Sequence, residues 1–446
     1  MDFLTGKIKT MYFKYLAAAF GSALITSVYS IVDMAMVGQY QGPDGTAALA
    51  VVSPIWNIIY SLGLLMGIGG SVLFSTLLGR SGEKKQSNEY FTAAVTGTAI
   101  LALSTWLIVI FFDKELLLLF GAEKTLLPLA QKYVFPIKFV VPSFLFTQLI
   151  SAFLRNDGNP ELATKAVLIG GIFNVIGDYF FVFTLNLGIM GAGIATAMGS
   201  LLSLLIMCSH FFRKKNSLRL VKTQKLFSKL QSITVTGFST FFIDIAMGIL
   251  TVLFNRQILN YLGTDALSVY GIIINISTFV QCCAYSIGQA SQPLISVNLG
   301  AHQGARINQI LKYALATAAV FGVSWTAINL LAPNLFVQVF MTPPENILAI
   351  APGIIRSYSL SYLLLPLNIF STYYFQALMK PSASFVVSVS RGVIISGILI
   401  ILLPVFAGGS AIWFTMPITE LIVAIYVVAK MMKYTKELSI KREVLP

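Results

Sequence analysis

Residues 93–112 read AAVTGTAILALSTWLIVIFF, a run of twenty residues without a charged side chain. A helix of about 20 apolar residues crosses the roughly 30 Å hydrocarbon core of a bilayer. A transmembrane β-strand would alternate apolar and polar residues over about ten positions, which this run does not do. Because backbone groups in lipid must be hydrogen-bonded within the protein, an unbroken apolar run of this length predicts a membrane-spanning helix.

The composition extends that conclusion to the whole chain of 446 residues. Hydrophobic residues make up 57% of it and charged residues 11%, against about 25% charged residues in an average soluble domain. A soluble enzyme and a disordered chain are therefore excluded. The three cysteines, Cys208, Cys282 and Cys283, lie in apolar segments and indicate neither a disulfide scaffold nor a metal centre. No P-loop such as GxxxxGK(S/T) occurs in the sequence, so nothing indicates ATP drive. We predict a protein that is not an enzyme and that needs no cofactor besides a coupling ion, H⁺ or Na⁺.

Hydropathy divides the chain into about twelve transmembrane helices and leaves little sequence for a soluble domain. The predicted fold class is an all-α membrane protein. Some segments exceed the length of a straight span, so they must tilt, kink or extend beyond the membrane. The predicted spans are residues 15–38, 46–78, 89–112, 126–153, 162–185, 190–212, 233–260, 265–298, 308–333, 348–379, 383–405 and 409–431.

The distribution of basic residues indicates the orientation of these spans. Of the 30 lysines and arginines, 24 fall on the side of the membrane that holds the N-terminus, and 6 fall at or near the other side. Because cytoplasmic loops carry such an excess, we predict a multi-pass protein of the plasma (inner) membrane with both termini in the cytoplasm. The net charge of +13 is then a topology signal and not a nucleic-acid surface.

The two halves of the chain resemble each other. Residues 67–79 align with 288–300, and GAGI at 191–194 aligns with GSAI at 409–412, in an order that is kept along the chain. With six spans in each half, the repeats are parallel and pseudo-symmetric. Internal repeats of this kind are common in secondary transporters, with the substrate site between the halves.

A basic stretch separates the halves and sets the predicted divisions of the chain. We interpret it as a topology determinant that lies on anionic lipid, with a partner or regulator site as the alternative. The divisions are an N-terminal lobe at 1–212, a basic cytoplasmic linker at 213–232, a C-terminal lobe at 233–432 and a cytoplasmic tail at 433–446.

Polar side chains lie at matching depth in three spans of the first half. At a rise of about 1.5 Å per residue, Asp33, Asp178 and Thr196 come out roughly 8–11 Å below the outer ends of their spans. Asn174 and Asp178 are four residues apart and share a helical face. These oxygens suit a hard cation such as sodium. Alternatively, two nearby carboxylates cannot both ionise cheaply, so one of them holds a proton.

Several of these stretches resemble the MATE (multidrug and toxic compound extrusion) family of transporters over nearly the whole chain. They are VDMAMVG around Asp33, the glycine-rich stretches at 67–79 and 288–301, LRNDGNP at 154–160, NVIGD at 174–178 and GIMGAGIATA at 188–197. The resemblance implies two six-helix lobes around a V-shaped cavity. It also implies antiport, in which a drug-like, often cationic, organic compound leaves as protons or sodium ions enter. Many members carry a proline in span one where this chain has Ala18, and one in span seven where it has Ser239.

The resemblance also assigns roles to residues. Asp33, Asn174, Asp178 and Thr196 match the family's cation site in the N-terminal lobe, and Asp244 approximately matches a functional glutamate of some members. We therefore predict that Asp244 binds substrate or a second ion, with Tyr29, Tyr179 and Tyr270 offering cation–π faces. Glu420 is a second-lobe partner or, as the favoured alternative, ties helices together by hydrogen bonds. The same helix-tying role is the alternative for the other carboxylates.

Two other functions compete with antiport. A flippase for lipid-linked precursors would line its cavity with several basic residues, and the predicted spans contain few in central positions. A channel or receptor would conduct or signal without coupled accumulation. The predicted partners are small organic substrates and the lipid bilayer, without nucleic acid, and a monomer is the working assumption. The sequence decides neither the physiological substrate nor the choice between proton and sodium.

Overall fold

The computed structural model describes residues 3–80, 84–122, 125–214, 216–340 and 345–440. Those residues form helices joined by short connections, without a β-strand among them. Lys215 of the predicted linker and residues 441–446 of the predicted tail lie outside the described residues. The all-α fold class is confirmed.

The first half of the chain forms eight helices. A π-helical segment, Tyr179–Thr184, follows α7, and a 3₁₀ turn, Ser209–Phe212, follows α8. The helices are α1 (Ile8–Gln41), α2 (Pro43–Gly79), α3 (Lys84–Phe111), α4 (Asp113–Leu119), α5 (Leu127–Lys138), α6 (Val141–Asn156), α7 (Pro160–Asp178) and α8 (Ile189–Cys208).

The second half repeats this pattern. Its helices are α9 (Leu226–Tyr261), α10 (Gly263–Gly300), α11 (Gly304–Leu331), α12 (Pro333–Phe340), α13 (Glu345–Ser359), α14 (Leu365–Ala377), α15 (Pro381–Val389), α16 (Ile395–Ala407) and α17 (Thr415–Ile440). A π-helical segment, Ser390–Ile394, joins α15 to α16, and 3₁₀ turns at Leu360–Leu363 and Gly409–Phe414 precede α14 and α17.

The described chain has twelve membrane-spanning segments when the bent helix pair α5 and α6 is counted as one span. Eleven segments of the described chain are long and apolar enough to cross a membrane, and α5 and α6 pass the same test together across a bend of 58°. Pro142 occupies the first turn of α6, and Pro366 occupies the first turn of α14, so spans four and ten are both interrupted just before a proline. Two short helices, α4 and α12, stand at corresponding places in the halves and were not predicted.

Glycines allow α2 and α9 to touch through their backbones. A Cβ atom at Gly69 would lie 2.1 Å from the carbonyl oxygen of Ile233, and one at Gly237 would lie 2.0 Å from that of Leu65. Only glycine permits so close a crossing. The glycine-rich stretch of span two therefore serves helix packing.

The described chain divides into two compact units. The first unit contains Ala17–Phe241, and the second contains Leu4–Leu16 and the chain from Phe242 onward. The divisions fall inside α1 and α9, not at the linker. The division inside α9 arises because the first half of α9 packs tightly against α2 and so belongs to the first unit.

The linker packs on the first unit instead of lying free. Leu218 is buried in that unit's core, and the Asn88 side chain bonds to both Ser217 and Arg219, accepting from the Arg219 N–H at 2.7 Å. Asp157 accepts hydrogen bonds from the backbone and hydroxyl of Ser217, and its Oδ2 lies 2.6 Å from Nε2 of His210. These contacts hold the described part of the linker against the ends of α3, α6 and α8.

Candidate functional site

Asp33 is held inside the first unit by Tyr133, a residue outside the predicted site. The phenol of Tyr133, on α5, donates a hydrogen bond of 3.0 Å to Oδ2 of Asp33, on α1. The Asp33 side chain is buried, with 8% of the residue's surface exposed. Its second oxygen, Oδ1, has no partner among the described residues. One carboxylate oxygen of Asp33 is thus fixed in place, and the other has no hydrogen bond to the described chain.

Asn174, Asp178 and Thr196 lie together where α7 packs on α8. The Asn174 amide donates a hydrogen bond of 3.2 Å to the Thr196 hydroxyl. Asp178, one turn later on the same face of α7, is fully buried. The α-helix ends at Asp178 and continues as the π-helical segment Tyr179–Thr184. Such π-helical departures are rare and are frequent at functional sites.

Tyr133 connects these residues into one cluster. In addition to its bond with Asp33, it interacts with Thr196 through its side chain and with Asp178 electrostatically. Asp33 and Asp178 interact electrostatically with each other. The structure therefore brings together the four residues predicted for the cation site and adds a fifth. We call Asp33, Tyr133, Asn174, Asp178 and Thr196 the first-unit cluster.

The depth of Tyr133 was the signal that could have found it. It lies seven residues into predicted span four, which runs inward from residue 126, and hence roughly 10 Å below the outer end. That depth equals the depth estimated for the other members. Ring packing is the commoner role of a tyrosine in an apolar span, so its residue type alone does not predict a site.

Four oxygens of the first-unit cluster are buried without a hydrogen bond to the described chain. They are Oδ1 of Asp33, Oδ1 of Asn174 and both carboxylate oxygens of Asp178. Leaving a buried acceptor unsatisfied costs about 1–3 kcal/mol, and more for a charged group. A proton on one carboxylate or a small hard cation among the oxygens would remove that cost. Within the described chain, no three His, Cys, Asp or Glu side chains meet as a site for a transition metal.

The two tyrosines predicted near this site have different surroundings. Tyr29 lies one turn before Asp33, interacts with it electrostatically and packs against the backbone of Gly171. Tyr179 is 61% exposed, and its ring contacts Phe183 at 5.8 Å. Tyr29 therefore borders the first-unit cluster, whereas Tyr179 presents its ring at the surface of the unit.

In the second unit, Asp244 and Tyr270 lie in separate surroundings. The Tyr285 hydroxyl donates a hydrogen bond of 3.4 Å to Oδ1 of Asp244, which is partly buried. Tyr270 stacks on Phe254 with ring centroids 5.0 Å apart and lines a small cavity. Asp244 does not line that cavity.

Glu420 is fully buried, and both of its carboxylate oxygens are engaged. Arg391 donates from Nε to Oε1 at 2.7 Å, and the Asn368 amide donates to Oε2 at 2.6 Å and to the Glu420 carbonyl at 2.9 Å. The charge count placed Arg391 among the basic residues on the N-terminal side of the membrane, and that placement is wrong. Arg391 lies ten residues into span eleven, roughly 15 Å from its start, where Glu420 neutralises it.

A comparison with known families decides what kind of protein carries this arrangement. A family model described as MatE matches residues 18–180 and again residues 240–402. These two regions make up well over half of the chain. The chain belongs to the MATE family.

The MATE match also agrees with the internal repeat, because its two regions are of equal length and start 222 residues apart. The two-lobe, all-helical fold and the resemblance proposed from the motifs are thereby confirmed. MATE proteins are multidrug efflux transporters, so this chain is a multi-pass membrane transporter with small-molecule substrates.

Individual MATE relatives are distant but cover nearly the whole chain. The multidrug export protein MepA of Staphylococcus haemolyticus is 25% identical over 394 residues, which are 88% of this chain and 86% of that protein. MepA of Staphylococcus saprophyticus is 24% identical over 395 residues, with the same coverage. A solved structure described as the outward-facing conformation of a multidrug resistance MATE family transporter matches with a TM-score of 0.90 at 18% identity, over 98% of both chains. That structure shows the shared fold.

Proposed function

We propose that this MATE protein is a secondary antiporter that exports drug-like, cationic organic compounds in exchange for protons or sodium ions. It works in the plasma membrane with both termini in the cytoplasm, as the bias of basic residues indicates. Its lobes are residues 1–212 and 233–432, joined by the linker at 213–232 and followed by a tail at 433–446. Membership of the family and relatives named multidrug export protein support the export of drugs.

The first-unit cluster is the observation that carries the coupling. Asp33 and Asp178 place two acidic groups in mutual electrostatic contact in a buried site, and three of their four carboxylate oxygens lack a hydrogen bond to the described chain. Two such carboxylates repel each other when both are ionised. Binding of one small cation or proton relieves the repulsion, so occupancy of the cluster changes the stability of the lobe that contains it. A transporter needs such a difference between its loaded and unloaded states.

The members of the cluster have distinct roles in this proposal. Asp33 and Asp178 supply the charge, and Asn174 and Thr196 supply neutral oxygens. Tyr133 holds Asp33 in position through its hydrogen bond. Sodium would use all of these oxygens, whereas a proton would need only one carboxylate. Asp33, Asn174, Asp178 and Thr196 therefore serve either ion.

Substrate recognition is assigned to aromatic and acidic residues outside the cluster. Asp244 attracts the cationic part of a substrate, and Tyr29, Tyr179 and Tyr270 offer ring faces to it. Glu420 is left out of ion binding in this proposal because its two oxygens are already bound by Arg391 and Asn368. It ties spans ten, eleven and twelve together.

Transport by purified protein in proteoliposomes tests the proposal, with proton and sodium gradients imposed separately. Export of a fluorescent organic cation driven by one of these gradients is expected. The double variant Asp33→Asn with Asp178→Asn should abolish coupling, whereas Asp44→Asn, an exposed acid in the first turn of α2, should not. Coupled transport that survives in the double variant would contradict the assignment of the ion site.

The lipid-linked precursor flippase remains the competing function. It calls for unneutralised basic side chains that receive an anionic carrier. Arg391, a buried arginine in the middle of a span, is paired with Glu420 instead. Lipid flipping by the pure protein without any drug transport would reverse the ranking of the two functions.

A further inference from the structure

An apolar groove runs along the surface of the second unit where α11, α14 and α17 meet. Its volume is about 550 Å³, within the range of about 300–1,000 Å³ that ligand sites occupy. Leu315, Leu367 and Val428 contribute to its apolar wall, and Thr435 and Lys436 are the only polar side chains among the residues that line it. The groove therefore has room for a long apolar group and carries a charge near one end.

The groove faces the hydrocarbon of the bilayer. On α17 its lining residues run from Val428 to Lys436, which is about 12 Å along the helix axis. Val428 is 45% exposed and Met432 is 69% exposed. Because α17 belongs to a membrane-spanning segment, these exposed apolar side chains lie against lipid, and the groove opens on lipid as well.

The charged end of the groove lies at the level of the lipid headgroups. Lys436 follows the end of predicted span twelve by five residues, and the bias of basic residues assigns that end to the cytoplasm. Leu311 lies three residues into predicted span nine, which starts on the same side. Anionic lipids of the cytoplasmic leaflet attract basic residues near its surface. The groove thus runs from the headgroups into the layer of acyl chains.

Lys436 has no charged partner within the described chain. The neighbouring acid, Glu437, lies 3.7 Å from Lys380 and pairs with it. Lys430, on the same helix, lies over the ring of Tyr426 at 5.5 Å. Lys436 makes neither an ion pair nor a ring contact with the described residues. Its charge is therefore open to an anionic group that enters the groove from outside.

A phospholipid with an anionic headgroup fits both the wall and the lysine. An acyl chain in the groove gains van der Waals contacts along the wall, and a phosphate accepts charge-assisted hydrogen bonds from Lys436. A cationic drug would be repelled by Lys436. A second copy of a chain with a net charge of +13 would bring further positive charge to this face.

We propose that this groove is a binding site for one anionic phospholipid of the cytoplasmic leaflet, with its phosphate at Lys436 and one acyl chain along Leu315 and Leu367. The bound chain covers the junction of α11, α14 and α17, which belong to spans nine, ten and twelve. Occupancy of the site does not require transport, so the inference stands apart from the proposed function.

Photoreactive lipids test the site in the full-length protein reconstituted in nanodiscs. The two probes are a phosphatidylglycerol and a phosphatidylcholine that carry the same diazirine-bearing acyl chain, each added as a small fraction of an otherwise identical bilayer. Labelled peptides are identified and quantified by mass spectrometry. Residues 428–436 are expected to be labelled more strongly by phosphatidylglycerol, whereas the exposed apolar side chains at 398–406 of α16 should be labelled equally by both probes.

Two lysine variants assign the headgroup preference. Lys436→Gln removes the cation that lines the groove, and it should lower the ratio of phosphatidylglycerol to phosphatidylcholine labelling at residues 428–436 about fivefold. Lys433→Gln is the matched control, because it removes the same charge from an exposed position of α17 outside the groove lining. It should leave the ratio unchanged.

Two tryptophan variants assign the acyl chain. Leu315→Trp places a large side chain in the groove and should reduce labelling of residues 428–436 by both probes. Leu331→Trp, on the same helix at a position that is 83% exposed and outside the groove lining, is the control and should leave that labelling unchanged.

Several results would overturn the lipid site. They are equal labelling of the groove by the two probes in the wild type, an equal loss of the ratio in both lysine variants, and labelling of Leu315→Trp that matches its control. Protection of residues 428–436 from both probes, together with a dimer in light scattering, would show that a second copy covers the groove and would overturn the site as well.

Discussion

The hydroxyl of Tyr133 lies 3.0 Å from Oδ2 of Asp33, although the two residues are one hundred positions apart in the chain. This bond joins span four to span one at the depth where Asp178 and Thr196 also lie. The bond fixes one oxygen of Asp33 and leaves the other without a partner in the described structure. It therefore holds the carboxylate in the position that the proposed ion site requires.

The first prediction concerns that positioning. Tyr133→Phe removes the donor and leaves the ring, so Asp33 is no longer held in place and should bind the coupling ion about tenfold more weakly. Ion-driven transport should fall with it. Ion binding by the purified variant, with transport measured in parallel, checks this. Tyr261→Phe, at an exposed tyrosine, should change neither quantity, and unchanged or tighter ion binding by Tyr133→Phe would contradict the role given to the bond.

The second prediction concerns Asp178, whose two oxygens are buried without partners in the described structure. Asp178→Asn removes its repulsion with Asp33, so the ion-free variant should be more resistant to heat than the ion-free wild type. The wild type should gain stability when its ion is added, by about 2.7 kcal/mol at one hundred times the dissociation constant. The variant should gain much less. Thermal unfolding with and without the ion measures both effects, and an undiminished gain in the variant would speak against ion binding at Asp178.

The third prediction compares two ion pairs in the second unit. Glu420→Gln leaves Arg391 buried without its counter-charge and should destabilise the protein by about 3–5 kcal/mol. Glu437→Gln breaks the ion pair between Glu437 and Lys380. Both of these side chains are 44% exposed, so the protein should lose less than about 1 kcal/mol of stability. Thermal unfolding in detergent compares them. Similar losses in both variants would mean that Glu420 is not the anchor described above.

The fourth prediction uses two glycines on one helix. Gly237→Ala places a Cβ atom against the Leu65 carbonyl oxygen and should destabilise the first unit by about 1–3 kcal/mol. Gly248→Ala adds a methyl group where no atom lies within 4 Å, and it should be neutral or slightly stabilising. Unfolding temperatures of the two variants give the comparison. A stable Gly237→Ala protein would show that α2 and α9 do not need their close contact.

What can be predicted from the sequence depends on whether the signal is local. Long apolar runs define spans because lipid accepts no unsatisfied backbone, and all twelve predicted spans correspond to helical segments. Counting residues from the span ends gave Asp33, Asp178 and Thr196 a common depth, and the structure places them in one cluster with Asn174. Their assignment to ion coupling remains a prediction.

The partners of buried polar groups were decided only by the tertiary structure. Within its own span, Tyr133 is an ordinary aromatic residue, and Arg391 counts as a basic residue that marks topology. Their partners lie on other helices: Asp33 on α1 bonds to Tyr133, and Glu420 on α17 bonds to Arg391. Hydropathy and residue counts describe how deep a side chain lies along one helix. They do not describe which neighbouring helix its polar atoms face, because that depends on the rotation and packing of helices that are distant in the chain. For this protein the sequence determined the spans, their number and the depth of the acids, and the packing of those spans determined which acids are paired and which keep carboxylate oxygens without a hydrogen bond to the described chain.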